Sequence, residues 1–258
     1  MGIESSAVDV LIGSTGFVGS TLLNDHQFNM LVHRPNASII EGAQCGLLVC
    51  AGLPAEKWRV NADPNEDWEN MAKLAELIST TSASKAVLIS TIDVFQSAMN
   101  PDEDTFVGIN EAGKYGCHRA WFEMFFRAKF PTGLIVRLPG LFSPDLRKNL
   151  IYDLMHKRFD QLQNVNPKSE FQYFDVTQTW SVIEKCIESD IRILNVATEP
   201  IRAEEIAQLF NVELHGNSSP IYYDFRTKHD RLFGGKSGYL RNSTEILSAI
   251  KKLVPRTI

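Results

Sequence analysis

Val8-Asp9-Val10-Leu11-Ile12-Gly13-Ser14-Thr15-Gly16-Phe17-Val18-Gly19 decides how this chain is read. Five mostly aliphatic residues make the short apolar run of a buried strand, and three glycines follow where a strand hands over to a helix. At such a turn the first glycine allows the tight bend, the second lets the backbone approach a bound pyrophosphate, and the third lets helix and strand pack closely. Amides at the helix opening, with their partial positive charge, face the same place. Gly13, Gly16 and Gly19 take these parts, with Thr15, Phe17 and Val18 beside them. A plain strand-to-helix turn would not need all three.

Outward from that stretch, short apolar runs alternate with helical patterns. Leu47 to Ala51, Ala86 to Ser90 and Leu134 to Leu138 read as further buried strands, and Ile191 to Ala197 as a late one. Asp67 to Thr80 and Tyr115 to Phe130 carry apolar residues at three- and four-residue spacing, as core-facing helices do. The alternation predicts an α/β fold with a parallel sheet and helical crossovers. After Pro144 the rhythm gives way to polar, aromatic-studded segments. The expected division is a cofactor domain over 1–143, rejoined by about 180–198, and a smaller substrate-binding lobe over 144–179 and 199–258.

The totals exclude several classes. With 26 basic and 31 acidic residues the formal charge is −5, which argues against nucleic acid or an anionic membrane as the main partner. No apolar run approaches the roughly 20 residues needed to span a bilayer. Cys45, Cys50, Cys117 and Cys186 form neither a C-x-x-C pair nor a dense disulfide set, so a reducing cytoplasm is expected. No His, Cys and carboxylate cluster has metal-ligand spacing, so no metal is expected. Met1-Gly2-Ile3-Glu4-Ser5-Ser6 fits a loose N-myristoylation pattern, read as chance, and the sequons at Asn36, Asn217 and Asn242 are given no weight.

The end of the second strand, Met30-Leu31-Val32-His33-Arg34, bears on the cofactor. A site that prefers NAD offers a carboxylate to the ribose 2′-hydroxyl there, whereas His33 and Arg34 suit a 2′-phosphate. NADP is therefore favoured over NAD.

The spacing G-x-x-G-x-x-G resembles the extended short-chain dehydrogenase/reductase family, which includes nucleotide-sugar epimerases and dehydratases. Matches continue in order through Ala51-Gly52, Asn61, Ile89-Ser90-Thr91, Tyr115 to Arg119, and Arg137-Leu138-Pro139-Gly140-Leu141-Phe142-Ser143-Pro144. The resemblance implies a Rossmann-type doubly wound parallel sheet with a smaller C-terminal substrate-binding lobe. It adds Ala51, Gly52, Ser90, Tyr115, Arg119 and Pro139 to the cofactor site. It also makes Thr91, Tyr115 and Arg119 the catalytic centre, with Tyr115 as general acid or base and the cation four residues on favouring its phenolate.

Three departures from the family pattern narrow the reaction. Arg119 stands where the family has Lys, and a guanidinium does not readily release a proton. Ile92-Asp93 replaces the Asp-Glu pair of the dehydratases, which disfavours dehydration. Gly140 stands where the sugar-nucleotide enzymes usually carry Asn.

For the substrate, Asp93, Lys148, Asn149, Arg226 and Lys228 are the candidate contacts. Arg226 and Lys228 lie in the aromatic and charged run Tyr222 to Arg231 and could clamp a phosphate or carboxylate. A solvated charged face is the competing reading of that run. The resemblance further implies a homodimer through the 67–80 and 115–130 helices. The expected function is NAD(P)-dependent reduction or epimerisation of a sugar-like or nucleotide-linked small molecule. The alternative is a cofactor-binding protein without turnover, a regulator or redox sensor.

Overall fold

The computed structural model describes residues 8–109 and 113–254. The myristoylation match at Met1 to Ser6 lies outside the described residues. In chain order, β1 (Val8–Ile12), α1 (Phe17–Leu22), β2 (Met30–Val32) and β3 (Gln44–Cys50) come first. Next are α2 (Lys57–Ala62), α3 (Asn65–Ser79), β4 (Ser82–Thr91), α4 (Lys114–Lys129) and β5 (Leu134–Leu138). The rest comprises β6 (Gly140–Phe142), α5 (Leu150–Met155), α6 (Phe159–Leu162), β7 (Glu170–Phe171), β8 (Tyr173–Asp175), α7 (Thr179–Glu188), β9 (Ile193–Asn195), β10 (Ile201–Arg202), α8 (Ala203–Leu209) and α9 (Ser243–Lys251).

Six strands form one parallel sheet in the order β2-β1-β3-β4-β5-β9, the Rossmann-type arrangement that the strand and helix alternation predicts. Val10, Leu11, Leu48, Val49, Val87, Leu88, Ile135 and Val136 are fully buried, because a parallel sheet has helices on both faces. Met71 and Ile78 of α3 and Phe122 and Phe126 of α4 complete the core on one face. The strand order reverses at β1, which pairs with β2 through Ile12 and Val32 and with β3 through Ile12 and Cys50. The crevice beyond the carboxyl ends of β1 and β3 is therefore the topological switch point, and Gly13 to Gly19 stands in it.

Several boundaries differ from the sequence reading. β4 begins at Ser82 rather than Ala86, because Ser82, Ala83 and Lys85, outside the apolar run, still pair with Gln44, Cys45 and Leu47 of β3. Ala51 lies beyond β3, its N–H bonded to the Ile12 carbonyl at 2.8 Å. The late strand is only Ile193–Asn195, preceded by the Arg192 carbonyl that accepts from Ile135 at 2.9 Å. Among the described residues no helix is long and apolar enough to cross a membrane.

The chain divides into two compact units. The first comprises Met1–Gln96, Phe106–Arg137 and Thr177–Leu194, and the second Ser97–Thr105, Leu138–Val176 and Asn195–Ile258. In the second unit β6 pairs with β8 in parallel and β7 with β10 antiparallel. The excursion Ser97–Thr105 belongs there through Glu103, whose carboxylate accepts from the Asn195 amide at 2.8 Å, the Thr227 hydroxyl at 2.6 Å and the Lys228 amide at 2.9 Å.

Candidate active site

Two of the three glycines in the turn are required by the chain's own backbone. Gly13 has φ +86°, and a Cβ on it would run into the Ala51 carbonyl; a Cβ on Gly19 would run into the Gly13 carbonyl. Gly16 is different. A Cβ there would meet only the Gly13 oxygen at 3.2 Å and the Ala51 oxygen at 3.9 Å, with open space otherwise. Thr15 and Gly16 are exposed at the crest of the turn, and Phe17 and Val18 are half-buried at the start of α1. The Gly13 amide holds the bend by donating to the Val32 carbonyl of β2 at 2.8 Å.

Beyond β2 the Asn36 carboxamide turns the chain. It accepts from the His33 amide at 2.7 Å and donates to the Leu31 carbonyl at 3.0 Å, which occupies the one sequon asparagine in this unit. His33 is half-buried, and Arg34 is exposed with no ion-pair partner among the described residues.

At the end of β4, Thr91 caps a short 3₁₀ turn over Ile92–Val94. Its hydroxyl accepts from the Asp93 amide at 3.1 Å and approaches the Asp93 carboxylate at 3.4 Å. The other oxygen of Asp93 is 2.5 Å from the Lys57 ammonium at the start of α2. Tyr115, in the first turn of α4, is buried. Its amide, one of the orphan donors at a helix start, is satisfied by Asn61 of α2 at 2.9 Å.

Arg119, one turn along α4, is 1 % exposed, and its guanidinium lies 4.5 Å over the Tyr115 ring. Asp67 of α3 takes both terminal nitrogens, at 2.9 and 2.8 Å, and one of them also donates to the Pro54 carbonyl at 2.7 Å. The Arg119 Nε is buried and has no acceptor among the described residues. His118 shares the same carboxylate at 2.7 Å. Burial pushes the Asp67 carboxyl up, but hydrogen bonds and charge from Arg119, with His118 behind, hold it below its ordinary value.

The cation at 119 favours the Tyr115 phenolate, as expected, but other influences on the phenol oppose it. Burial is the largest influence and pushes the phenol above its ordinary value; Arg119 pulls it down, while Asp93 and Asp67 oppose ionisation. Arg119 acts in the expected direction and is outweighed by burial, the largest influence.

A third residue extends the same face of α4. Glu123 accepts the Ser90 hydroxyl at 2.6 Å and forms a buried ion pair with Arg137 of β5, Nη2 to Oε2 at 2.7 Å. Ser90, expected beside the cofactor, thus commits its proton to Glu123 and ties β4, β5 and α4 together.

In the second unit the expected substrate residues have partners of their own. Asn149, at φ 122°, caps α5 by accepting from the Ile151 and Tyr152 amides at 3.0 and 3.2 Å and donates to the Leu141 carbonyl at 2.8 Å. Arg226 pairs with Asp224 at 2.7 Å, donates to the Ser237 carbonyl at 2.7 Å and lies 4.2 Å over the Tyr239 ring. Lys228 pairs with Asp104 at 2.6 Å, and Lys148 is exposed. Pro139 is half-buried between β5 and β6. Gly140 has a packing reason: a Cβ there would stand 2.9 Å from the Tyr173 ring and 3.0 Å from the Gln172 carbonyl.

No family model matches the chain, and no curated protein matches it in sequence. Solved structures do. The dTDP-4-dehydrorhamnose reductase of Bacillus anthracis, in complex with NADP, superposes with a TM-score of 0.73 at 16% identity, over 95% of this chain and 96% of that one. A UDP-galactose 4-epimerase gives 0.69 at 19% identity over 95% and 96%. The Bordetella bronchiseptica enzyme WbmG, in complex with NAD, gives 0.67 at 14% identity over 92% and 91%. The chain has the fold of the extended short-chain dehydrogenases/reductases. Two of these neighbours were solved with a nicotinamide cofactor, NADP in the reductase and NAD in WbmG.

Within that fold, three polar partners went unread in the sequence: Asp67, Glu123 and Lys57. Asp67 and Glu123 sit on helices read only for their apolar spacing. The available signal was a charged residue on the buried stripe, with Glu123 one turn beyond Arg119 and two beyond Tyr115. Lys57 carries no such periodic mark.

Proposed function

We propose that the chain is an NAD(P)-dependent reductase or epimerase acting on a hydroxyl or carbonyl of a sugar-like or nucleotide-linked substrate. The observation that carries this reading is Gly16. Gly13 and Gly19 are glycine because the backbone leaves no room, whereas a Cβ at the exposed Gly16 would meet only the Gly13 and Ala51 oxygens, at 3.2 and 3.9 Å, with open space beyond. A pyrophosphate fits that space. The Nε of Arg119, whose guanidinium lies over the Tyr115 ring, is a second mark, since a buried donor without a partner among the described residues is costly unless a bound group completes it.

Under this reading the first unit holds the cofactor along Gly13, Thr15, Gly16, Phe17, Val18 and Gly19, with Ala51 and Gly52 closing the turn. The exposed Arg34 beside His33 favours NADP. When bound, the nicotinamide supplies or accepts the hydride. Tyr115 donates or accepts the accompanying proton, and Thr91 steadies the substrate oxygen. The high phenol value suits donation to a developing alkoxide, that is, the reductive direction. Ile92 offers no second acid, so dehydration is not expected. The second unit supplies substrate contacts, with Lys148 exposed to solvent.

A homodimer through α3 and α4 belongs to the same proposal. Trp68 (41% exposed) and Met124 (53%) stand on these helices, with Trp68 edge-on to Trp121 at 5.0 Å and Trp121 stacked on Phe125 at 6.1 Å between ring centres. We place the protein in the cytoplasm.

One observation favours the non-catalytic alternative: Arg119 is bound to Asp67 and Pro54. The deciding experiment is incubation with NADPH and a panel of nucleoside-diphosphate keto-sugars and sugars, followed by mass spectrometry. A reduced or epimerised product supports turnover. Tight NADPH binding with no product across the panel supports the cofactor-binding protein, and no binding removes both readings.

A further inference from the structure

Arg119 joins three parts of the first unit. From α4, its Nη1 and Nη2 donate to the two oxygens of Asp67 on α3, at 2.9 and 2.8 Å, and Nη2 also donates to the Pro54 carbonyl at 2.7 Å. Pro54 lies between β3 and α2, in a segment without regular structure of its own. A guanidinium suits this junction because its donors lie in one rigid plane: two parallel bonds to a carboxylate fix that plane and leave an edge for a further acceptor. Asp67 therefore sets where Nη2 points. The His118 ring nitrogen, 2.7 Å from the same carboxylate, steadies Asp67 in turn.

The segment held in this way borders the glycine turn. Its first amide, that of Ala51, donates to the Ile12 carbonyl of β1 at 2.8 Å. The Ala51 oxygen stands 3.9 Å from the place a Gly16 Cβ would take, and the Gly52 Cα 2.7 Å from the place of a Gly13 Cβ. Residues 51–54 thus run beside the open space at Gly16, bonded to β1 at one end and to Arg119 at the other.

We propose that Asp67 is a positioning residue for cofactor binding: by orienting Arg119 it fixes the Pro54 carbonyl, and with it residues 51–54 against the glycine turn. The inference rests on the reading of that turn as the pyrophosphate site, and adds that a buried carboxylate of α3, outside the turn, governs affinity there.

The Pro54 carbonyl can be watched by itself. Pro54-Ala55 is the one Pro-Ala pair in the sequence, so the full chain labelled with [1-¹³C]proline and [¹⁵N]alanine gives a single carbonyl–amide correlation, readable without cofactor. Asp67→Asn keeps the size of the side chain and removes its charge and one acceptor. It is expected to move the Pro54 carbonyl resonance upfield, the direction of a weakened hydrogen bond, and to weaken NADPH binding by about tenfold, the worth of one charge-assisted contact. Asp67→Ala/Arg119→Met removes the tie without stranding a buried charge, so it serves where the single variant folds poorly, and is expected to move both readouts the same way. Circular dichroism checks the fold and fluorescence titration gives the affinity. A resonance that stays in place in the folded variants overturns the proposal, and so does one that moves while NADPH affinity holds. A wild type that binds no NADPH overturns the cofactor reading and this inference with it, and is told apart because the failure lies in the parent protein.

Discussion

Asp67 and Arg119 form a two-pronged ion pair between α3 and α4, with side chains 5% and 2% exposed. Two charges taken out of water at this depth depend on each other. Removing one leaves the other buried and unpaired, which costs about 3–5 kcal/mol, whereas replacing both by apolar residues of similar volume is often near neutral. Asp67→Ala is therefore expected to destabilise by about 3–5 kcal/mol, and Asp67→Ala/Arg119→Met by clearly less. Denaturant unfolding of both variants measures the difference. A double variant as unstable as the single one would mean that the pair is not what makes the single costly.

The same pair sets an acid limit on stability. Asp67 has a carboxyl value lowered by Arg119, so its contribution is complete above the ordinary carboxylate range and is lost as pH falls through the lowered value. Stability of the wild type is expected to decline from about pH 5 towards about pH 2, and to decline less in Asp67→Ala/Arg119→Met. Unfolding free energies measured across that range, with parallel slopes in the two proteins, would assign the acid loss to other carboxylates.

This pair also marks where the sequence stops being legible. The sheet, the turn at Gly13 to Gly19 and the two long helices follow from local patterns: aliphatic runs, glycine at a strand end, apolar spacing of three and four. Asp67 and Arg119 are brought together only by packing of α3 on α4, and no local pattern joins residues 52 positions apart. Arg226 and Lys228 show the converse. Their cationic run reads as an anion clamp until Asp224 and Asp104 are found beside them, one of them carried in by the Ser97–Thr105 excursion. Gly140 looked like a lost asparagine, and the Tyr173 ring that occupies its Cβ space is a contact of the folded unit.

The glycine turn makes a contrast within one motif. Gly19→Ala places a Cβ against the Gly13 carbonyl and is expected to unfold or strongly destabilise the first unit. Gly16→Val brings its Cβ to 3.2 Å from the Gly13 oxygen, a tight contact that a shift of a few tenths of an ångström relieves, and is expected to fold while losing NADPH binding because the side chain takes the pyrophosphate's place. Thermal melts and fluorescence titration of the two variants decide this. A folded Gly16→Val that binds NADPH normally would place the cofactor elsewhere.

Arg34 tests the choice between cofactors. It is exposed beyond β2 with no ion-pair partner among the described residues, so its guanidinium is available to a 2′-phosphate. NADPH is expected to bind more tightly than NADH, by about tenfold, the worth of one charge-assisted contact. Arg34→Ala is expected to erase that preference without weakening NADH. Equal affinities in the wild type would remove the basis for preferring NADP.

Tyr115→Phe isolates the phenol. The ring is buried and carries the Arg119 guanidinium on its face, so phenylalanine keeps both the packing and the ring beneath the cation. Its amide still meets Asn61, because that contact is made by the backbone. Stability and NADPH affinity are therefore expected to stay close to wild type. Turnover is expected to fall by roughly 10²- to 10⁴-fold, the range for a lost general acid or base. Arg119→Ala is a poor substitute for this experiment, since it strands Asp67 in the interior and confuses catalysis with folding. Steady-state turnover on a substrate found by the panel, together with the NADPH dissociation constant of each protein, gives the two readouts. Turnover that falls while binding holds assigns proton transfer to Tyr115; turnover unchanged in Tyr115→Phe places the acid elsewhere and leaves Tyr115 and Arg119 as a packed pair between α3 and α4.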